Sequence, residues 1–138
     1  MSRHQEVLDQ MAYLVDELDG QKSVLDLIPR PLWTARPPTD PRSLLDMYGA
    51  MLAAECGAYR DQLGLPSEKP ASSGDPLQLI DQLAEARRRT VEGLRARPAD
   101  ELPLDTCFHI TQADAEALRD VGLRLHEAGL GKLRVTQG

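Results

Sequence analysis

The sequence predicts an all-α protein, a four-helix bundle, and three observations support this prediction. Four segments carry apolar residues at intervals of three and four, the spacing that places side chains on one face of a helix. Aromatic residues are only 4% of the chain, although strands draw heavily on aromatic and β-branched residues. Each segment has a single apolar face, and four such faces are buried together most simply in a bundle.

The first helix is predicted from Arg3 to about Ile28, where apolar residues recur at helical spacing. The members of its stripe are Leu8, Met11, Val15, Leu18 and Leu25. Residues 29–38 follow and contain four prolines, which remove backbone donors and clash with a preceding helical turn. We therefore expect a long Pro-rich connection between helices 1 and 2, in which Trp33 either covers one end of the core or lines the mouth of a pocket.

The second helix is predicted to start at Pro41, with Thr39 or Asp40 as its N-cap. Proline is favoured at the first helical position, and short polar side chains are favoured just before it. Gly64 is expected to end this helix. The stripe between these limits consists of Leu44, Tyr48, Met51, Leu52, Glu55, Tyr59 and Leu63.

The third helix is predicted to begin at Asp75-Pro76 and to end before Pro98. Its stripe consists of Leu77, Ile80, Leu83, Ala84, Val91 and Leu94. The run Arg87-Arg-Arg89 is expected to lie on the solvated face, where cations near the C-terminus complement the helix dipole.

The fourth helix is predicted to follow a polar connection that extends from Ala99 to Ile110. Thr111-Gln-Ala-Asp114 resembles a capping box, with Asp in place of Glu at its last position. The apolar stripe after this box consists of Ala115, Leu118, Val121, Leu125 and Ala128.

Length and charge exclude several classes of protein. The 138 residues predict one domain over residues 1–138. A formal net charge of −6 argues against nucleic-acid binding, which needs a basic surface. No stretch approaches the roughly 20 apolar residues that cross a bilayer, and no apolar signal segment is visible, so we expect a cytoplasmic protein without membrane contact. Cys56 and Cys107 are too few for a disulfide framework or a zinc knuckle.

Glu55 is the first candidate for chemistry because it lies on the inward stripe of helix 2. A carboxylate in a core must be paired, protonated or bound, since burying it alone is costly. Two interpretations stay open: Glu55 contacts a metal or a substrate inside the bundle, or it reaches solvent or pairs with an arginine of a neighbouring helix. Together with Trp33, Tyr48 and His126, Glu55 forms the candidate pocket.

Histidines and cysteines give weaker signals. His126, near the end of the fourth helix, is either a metal ligand or a surface residue. Cys107 and His109 lie two positions apart in the predicted connection. They form either a metal or thiol site, or part of a segment whose Phe108 and Ile110 pack on the end of the bundle.

Two segments resemble motifs of the DinB/YfiT-like metalloenzyme superfamily: Ser43-Leu-Leu-Asp-Met-Tyr-Gly-Ala-Met-Leu-Ala-Ala-Glu55 and His126-Glu-Ala-Gly-Leu130. Members of that superfamily are four-helix bundles of about this length, in which a Trp-bearing loop leads into helix 2. Their helix 2 carries a Ser or Thr, then a His and a Glu five residues later, and a late His-x-x-x-His segment supplies the other ligands. Here Ala50 and Leu130 stand where histidines are expected. The resemblance therefore implies a related bundle that lacks most of the metal ligands.

Three functional hypotheses are compatible with these residues. The first is a DinB-like bundle that binds a small molecule or a protein partner without a cofactor and forms a homodimer through a helix face. The second is a metal-dependent hydrolase or thiol transferase with zinc or nickel at Glu55, His109 and His126. The third is a helical interaction module without a pocket, which a large exposed apolar face would favour.

Overall fold

The computed structural model describes residues 3–37, 40–70 and 72–129. Within these residues the structure is helical and contains no strand, so the prediction of an all-α four-helix bundle is confirmed. None of the helices in these ranges combines the length and the apolar character that crossing a bilayer requires. The long helices are α1 (Arg3–Leu25), α2 (Leu44–Ala54, a π-helical turn Glu55–Tyr59, and Arg60–Gln62), α3 (Pro76–Arg95) and α4 (Leu104–Gly129). Short 3₁₀ turns lie in two of the connections, at Arg30–Thr34 and Ala99–Glu101.

The helices pack as a square in which α1 and α2 each contact both α3 and α4. α1 and α3 are antiparallel, because Asp9 near the start of α1 pairs with Arg95 at the end of α3, while Lys22 pairs with Asp81. The core between the helices is filled by large side chains from each of them, with an exposed fraction below 2%: Met11, Leu18, Leu44, Tyr48, Ile80, Leu83, Leu94 and Ile110.

α2 and α3 are parallel neighbours. Glu55 contacts Arg87, and one turn further along both helices Arg60 contacts Thr90. A tight turn cannot join parallel neighbours, so the chain has to return along the length of the bundle between the end of α2 and the start of α3. α1 and α4 also run in the same direction, because Asp9 of α1 lies at the level of Thr111 of α4, and Val24 lies at the level of His126.

The connection after α1 is anchored by Trp33. α1, described over Arg3–Leu25, is followed by a turn that ends near Ile28. Trp33 is buried in the main apolar cluster, and its indole Nε1 donates a hydrogen bond to the Ile28 carbonyl at 3.0 Å. The Arg30 guanidinium lies 4.9 Å from the centre of the ring. Trp33 therefore covers the end of the core, as one of the two interpretations predicted.

The N-cap of α2 is Ser43, so the prediction that Asp40 caps a helix starting at Pro41 was wrong. The Asp46 amide donates to Ser43 Oγ at 3.1 Å, and the Ser43 amide donates to Asp46 Oδ2 at 2.9 Å, which is a complete capping box. Asp40 instead accepts hydrogen bonds from Arg42, which lower the pKa of its carboxyl to about 2. The alternative cap Thr39 lies outside the described residues.

The C-terminus of α2 confirms the role predicted for Gly64. This glycine has φ = +71°, the left-handed conformation that L side chains rarely adopt. The Leu65 amide donates to the Arg60 carbonyl at 2.7 Å, and the Gly64 amide donates to the Asp61 carbonyl at 3.1 Å. These two bonds form a Schellman motif, which satisfies carbonyls that a helix end otherwise leaves unpaired.

α3 begins as predicted, because Asp75 accepts a hydrogen bond from the Leu77 amide at 3.0 Å and Pro76 occupies the first position. α4 begins earlier than predicted, at Leu104. The segment 111–114 is therefore not a capping box but lies inside α4, where Thr111 Oγ1 donates to the carbonyl one turn before it.

Candidate functional site

The most unusual feature of the interior is a buried ion cluster centred on Arg87 of α3. Its guanidinium has no exposed surface, and the carboxylates of Glu55 from α2 and Asp114 from α4 face it with exposed fractions of 1% and 8%. Arg87 Nε and Nη2 donate to Glu55 Oε1 at 3.0 and 2.7 Å. Nη1 and Nη2 donate to Asp114 Oδ2 and Oδ1 at 2.8 and 3.1 Å. A further bond runs from Nη1 to the Met11 carbonyl of α1 at 2.9 Å, so all four helices meet at this residue.

These bonds use every donor that the guanidinium has. An arginine carries five N–H groups in a planar fork, and the five bonds of Arg87 match that number. The pair with Asp114 is bidentate, the geometry in which arginine and carboxylate interact most strongly. The cluster therefore holds Arg87 in one orientation.

Charge in the cluster is not balanced, because two carboxylates face one cation. Glu55 Oε2 is buried and has no hydrogen-bond partner among the described residues. Burial is the largest influence on Asp114 and raises the pKa of its carboxyl above the ordinary value. The hydrogen bonds and the charge of Arg87 act in the opposite direction, whereas the charge of Glu55 adds to the increase.

The π-helical turn sets the position of Glu55. This turn, Glu55–Tyr59, widens the helix by one residue and places Glu55 at its first position. It changes the backbone hydrogen bonding locally, and the Cys56 carbonyl accepts a hydrogen bond from the Glu68 amide at 2.8 Å. The connection after α2 thus folds back against the helix where the π-turn lies.

The ion cluster shows which interpretation of Glu55 is correct and where the Arg87 side chain lies. Glu55 pairs with an arginine of a neighbouring helix, so that interpretation is confirmed. The placement of Arg87 on the solvated face was wrong, because the side chain lies at helical spacing from Leu83 and points into the core. Its neighbours Arg88 and Arg89 are exposed, as predicted for the run.

The four residues of the candidate pocket lie in three different surroundings. Trp33 and Tyr48 are buried in the same apolar cluster, whereas Glu55 belongs to the ion cluster. The Tyr48 hydroxyl donates to Gln21 Oε1 at 2.9 Å, and burial raises the pKa of this phenol. His126 is exposed and lies on the surface between α1 and α4, where Gln21 also lies.

Zinc or nickel does not fit the residues proposed as alternative ligands. His109 and His126 are exposed on the same helix and seventeen positions apart, which separates them by about 26 Å along its axis. Glu55 is enclosed by Arg87. In the part of the chain that the structure describes, no three His, Cys, Asp or Glu side chains are grouped so as to hold a metal ion. Ala50, at an expected histidine position, is exposed rather than turned towards Glu55.

Leu130, the other position at which the resemblance expects a histidine, lies outside the described residues. A thiol site at Cys107 and His109 was predicted in a connection between helices. Cys107 instead lies inside α4 and is buried. Burial raises the pKa values of the Cys56 and Cys107 thiols, which lowers their reactivity.

The surface between α1 and α4 forms a groove, here called the α1–α4 groove. Its floor consists of buried leucines of both helices, Leu14, Leu118 and Leu125, and its borders include Glu17 of α1 and Arg119 of α4. The Gln21 side chain donates from Nε2 to the Leu118 carbonyl at 3.3 Å and crosses the floor.

Large exposed apolar side chains concentrate on the two helices that form this groove. Among the described residues they are Tyr13, Val24, Leu27, Phe108 and Leu123. The first two belong to α1, Leu27 lies in the turn that follows it, and the last two belong to α4. Of these, Tyr13 and Val24 line the α1–α4 groove, and exposed apolar side chains beside an apolar floor mark a surface for contact with another molecule.

Comparison of the chain with protein-family models, with curated proteins and with solved structures finds no match. Its function is therefore inferred from its own residues.

The two carboxylates of the ion cluster are expected to respond differently to neutralisation. Glu55→Gln keeps the oxygen that accepts from Arg87 and places the amide nitrogen where Oε2 has no partner, so the free energy of unfolding should fall by about 1 kcal/mol or less. Asp114→Asn places an NH₂ group against an arginine donor, and the loss should be about 2–3 kcal/mol. Urea denaturation followed by circular dichroism at pH 7 measures both values.

The pH dependence of stability provides the second readout. The raised pKa of Asp114 means that the folded state binds this proton more tightly than the unfolded state. The resulting stabilisation is fully present below the unfolded pKa and is lost as pH rises through the folded pKa. Asp114→Asn should lack this component. Equal losses for the two variants, or the same acidic pH dependence in Asp114→Asn and the wild type, would contradict the assignment.

Proposed function

We propose that this chain is a binding module whose contact surface is the α1–α4 groove, and that it works without metal-dependent catalysis. The observation that carries the proposal is the apolar floor between α1 and α4, beside which Tyr13 and Val24 of α1 are exposed. Apolar floors with a few charged border groups are typical of surfaces that bind a small molecule or another protein.

The two fully buried members of the ion cluster, Arg87 and Glu55, do not form a catalytic site. Arg87 and Glu55 are enclosed, and every N–H of the guanidinium is already bonded within the protein. A reacting group must touch its substrate, and these side chains are not accessible to one. Their role is to hold the four helices together.

We further propose that the chain is a divergent DinB/YfiT-like bundle. The helical bundle, the capping box at Ser43 that opens the first resembling segment and the inward position of Glu55 support this relationship. In such a chain the fixed cation of Arg87 faces the carboxylate in place of an exchangeable metal ion. A cytoplasmic location belongs to the same proposal, since Cys56 and Cys107 are both free and buried.

Binding of an apolar probe tests the groove. We expect 8-anilinonaphthalene-1-sulfonate to bind the wild type at low micromolar protein concentration, with its rings on the leucine floor and its sulfonate near Arg119 and His126. Gly122→Leu should lower the affinity about tenfold, which corresponds to about 1.4 kcal/mol, because the new side chain occupies the groove. Fluorescence titration gives the affinity, and amide chemical-shift changes give the location.

Gly57→Leu is the matched control for this experiment. An added Cβ at either Gly122 or Gly57 meets no atom within 4 Å, but Gly57 lies on α2, away from the groove. The control should bind the probe like the wild type. Shift changes confined to α2 and α3, or equal affinities for the two variants, would show that the groove is not the binding surface.

A further inference from the structure

We propose that the α1–α4 groove binds small organic cations, with an ammonium group beside Asp114 and an apolar chain on the leucine floor. This inference rests on the proposed function and adds the chemical class of the ligand. Three features of the groove support it: the carboxylates that line one section, the unbalanced charge of the ion cluster to which Asp114 belongs, and the apolar floor beside these carboxylates.

One section of the groove, here called the acidic section, is lined by the carboxylates of Asp9, Glu17 and Asp114 and, among the described residues, by no cationic side chain. Asp9 lies at the level of Thr111, so Asp114, three positions further along α4, lies between the levels of Asp9 and Glu17. Glu17 takes part in no salt bridge within the described part of the chain. Asp9 pairs with Arg95 at the surface, where ion pairs are weak. The acidic section therefore attracts positive charge.

The ion cluster provides an independent reason for a cation at this place. Asp114 is the member of the cluster that lines the groove, and 10% of its side chain is exposed there. The cluster contains two carboxylates and one guanidinium, and Glu55 Oε2 has no hydrogen-bond partner among the described residues. When both carboxylates are ionised, the interior holds one negative charge that Arg87 does not balance. A cation beside Asp114 balances this charge from the groove, where water screens the attraction less than at an open surface.

The floor of the acidic section indicates the rest of the ligand. Leu14, Ala115 and Leu118 lie beside the carboxylates, and the exposed Tyr13 ring borders them. An apolar chain is removed from water on these side chains, and an aromatic ring attracts a cation. The section has a volume of about 340 Å³, which is large enough for a small molecule. An ammonium group with three donors matches carboxylates, which only accept hydrogen bonds.

The opposite end of the groove has the opposite charge. Beyond Glu17 the groove is lined by Arg119 and His126 and, among the described residues, by no further carboxylate. The leucine floor connects the two ends, since Leu118 lines both sections. A chain with one cationic end is therefore bound in one direction, with its ammonium group in the acidic section.

Three probes that share one chain and differ in charge test this inference. Octylammonium, octanol and octanoate are titrated separately into the isotope-labelled wild type at pH 7, where an alkylamine is protonated. Amide chemical-shift changes give both the affinity and the location of each probe. We expect octylammonium to bind at least about tenfold more tightly than octanoate, with its largest shift changes at residues that line the acidic section.

A charge reversal and its matched control connect the selectivity to the groove. Glu17→Lys should weaken the binding of octylammonium about tenfold and change the binding of octanol by no more than about twofold. Asp16→Lys makes the same change in net charge at the neighbouring position of α1. Its side chain is exposed and lies on the side of α1 that faces α3, so this variant should bind octylammonium like the wild type.

The remaining outcomes separate this inference from the groove proposal. Equal binding of the three probes in the groove would overturn the preference for cations and leave the binding module intact. Equal weakening by Glu17→Lys and Asp16→Lys would also overturn it, as would shift changes from octylammonium that lie outside the groove. If neither these probes nor 8-anilinonaphthalene-1-sulfonate bind in the groove, both proposals are wrong.

Discussion

Replacing Arg87 by methionine is expected to lower the free energy of unfolding by about 3–5 kcal/mol, because two buried carboxylates then lose their cation. Methionine fills a similar length of the core, so the loss reports on charge and hydrogen bonding more than on a cavity. Urea denaturation followed by circular dichroism measures the change. The variant should also gain stability as the pH is lowered, since protonation neutralises Glu55 and Asp114.

Two further variants separate the buried charge from other causes. Arg88→Met removes an exposed guanidinium one residue away and should change stability by no more than about 0.5 kcal/mol. The triple variant E55M/R87M/D114L replaces the whole cluster by apolar groups and should recover most of the loss. A triple variant as unstable as Arg87→Met, or a loss below about 1 kcal/mol in Arg87→Met, would contradict the role of the ion cluster.

Replacing Trp33 by alanine is expected to cost about 3–5 kcal/mol of stability, because a large buried ring is removed from the end of the core. Trp33→Phe keeps much of the packing and loses the hydrogen bond to the Ile28 carbonyl. The lost hydrogen bond should lower the free energy of unfolding by about 1 kcal/mol, in addition to the loss that the smaller ring causes. Circular dichroism is the suitable measurement, since Trp33 is the only tryptophan of the chain. Similar losses in the two variants would show that the ring adds nothing to the core.

Helical period, caps and glycine signals were enough to predict most of the fold. The Asp75-Pro76 start of α3 and the end of α2 at Gly64 were predicted correctly, since each depends on local backbone chemistry. The start of α4 was missed because Thr111 and Asp114 imitate a cap. Cys107 and Ile110 continue the apolar stripe of α4 towards its N-terminus, and that spacing was the available signal.

The ion cluster could be predicted only in part. The inward position of Glu55 was visible from its spacing, and so was the option of an arginine partner. Which arginine it contacts depends on how two distant helices are aligned, and composition favoured a solvated face for the run that contains Arg87. The signal that was overlooked is that Arg87 lies four positions after Leu83 and four before Val91, on the apolar stripe of α3.

The position of Arg87 has a consequence for how the chain reaches its folded state. Its five bonds come from three different helices, so a partly assembled bundle with α1, α2 or α4 out of place leaves a charged or polar group in the interior without its partner. The unpaired group raises the free energy of these partly assembled forms, whereas every group is paired with Arg87 in the complete bundle. One side chain thereby makes assembly close to all-or-none, and amide hydrogens near the cluster on all four helices should exchange only through global unfolding.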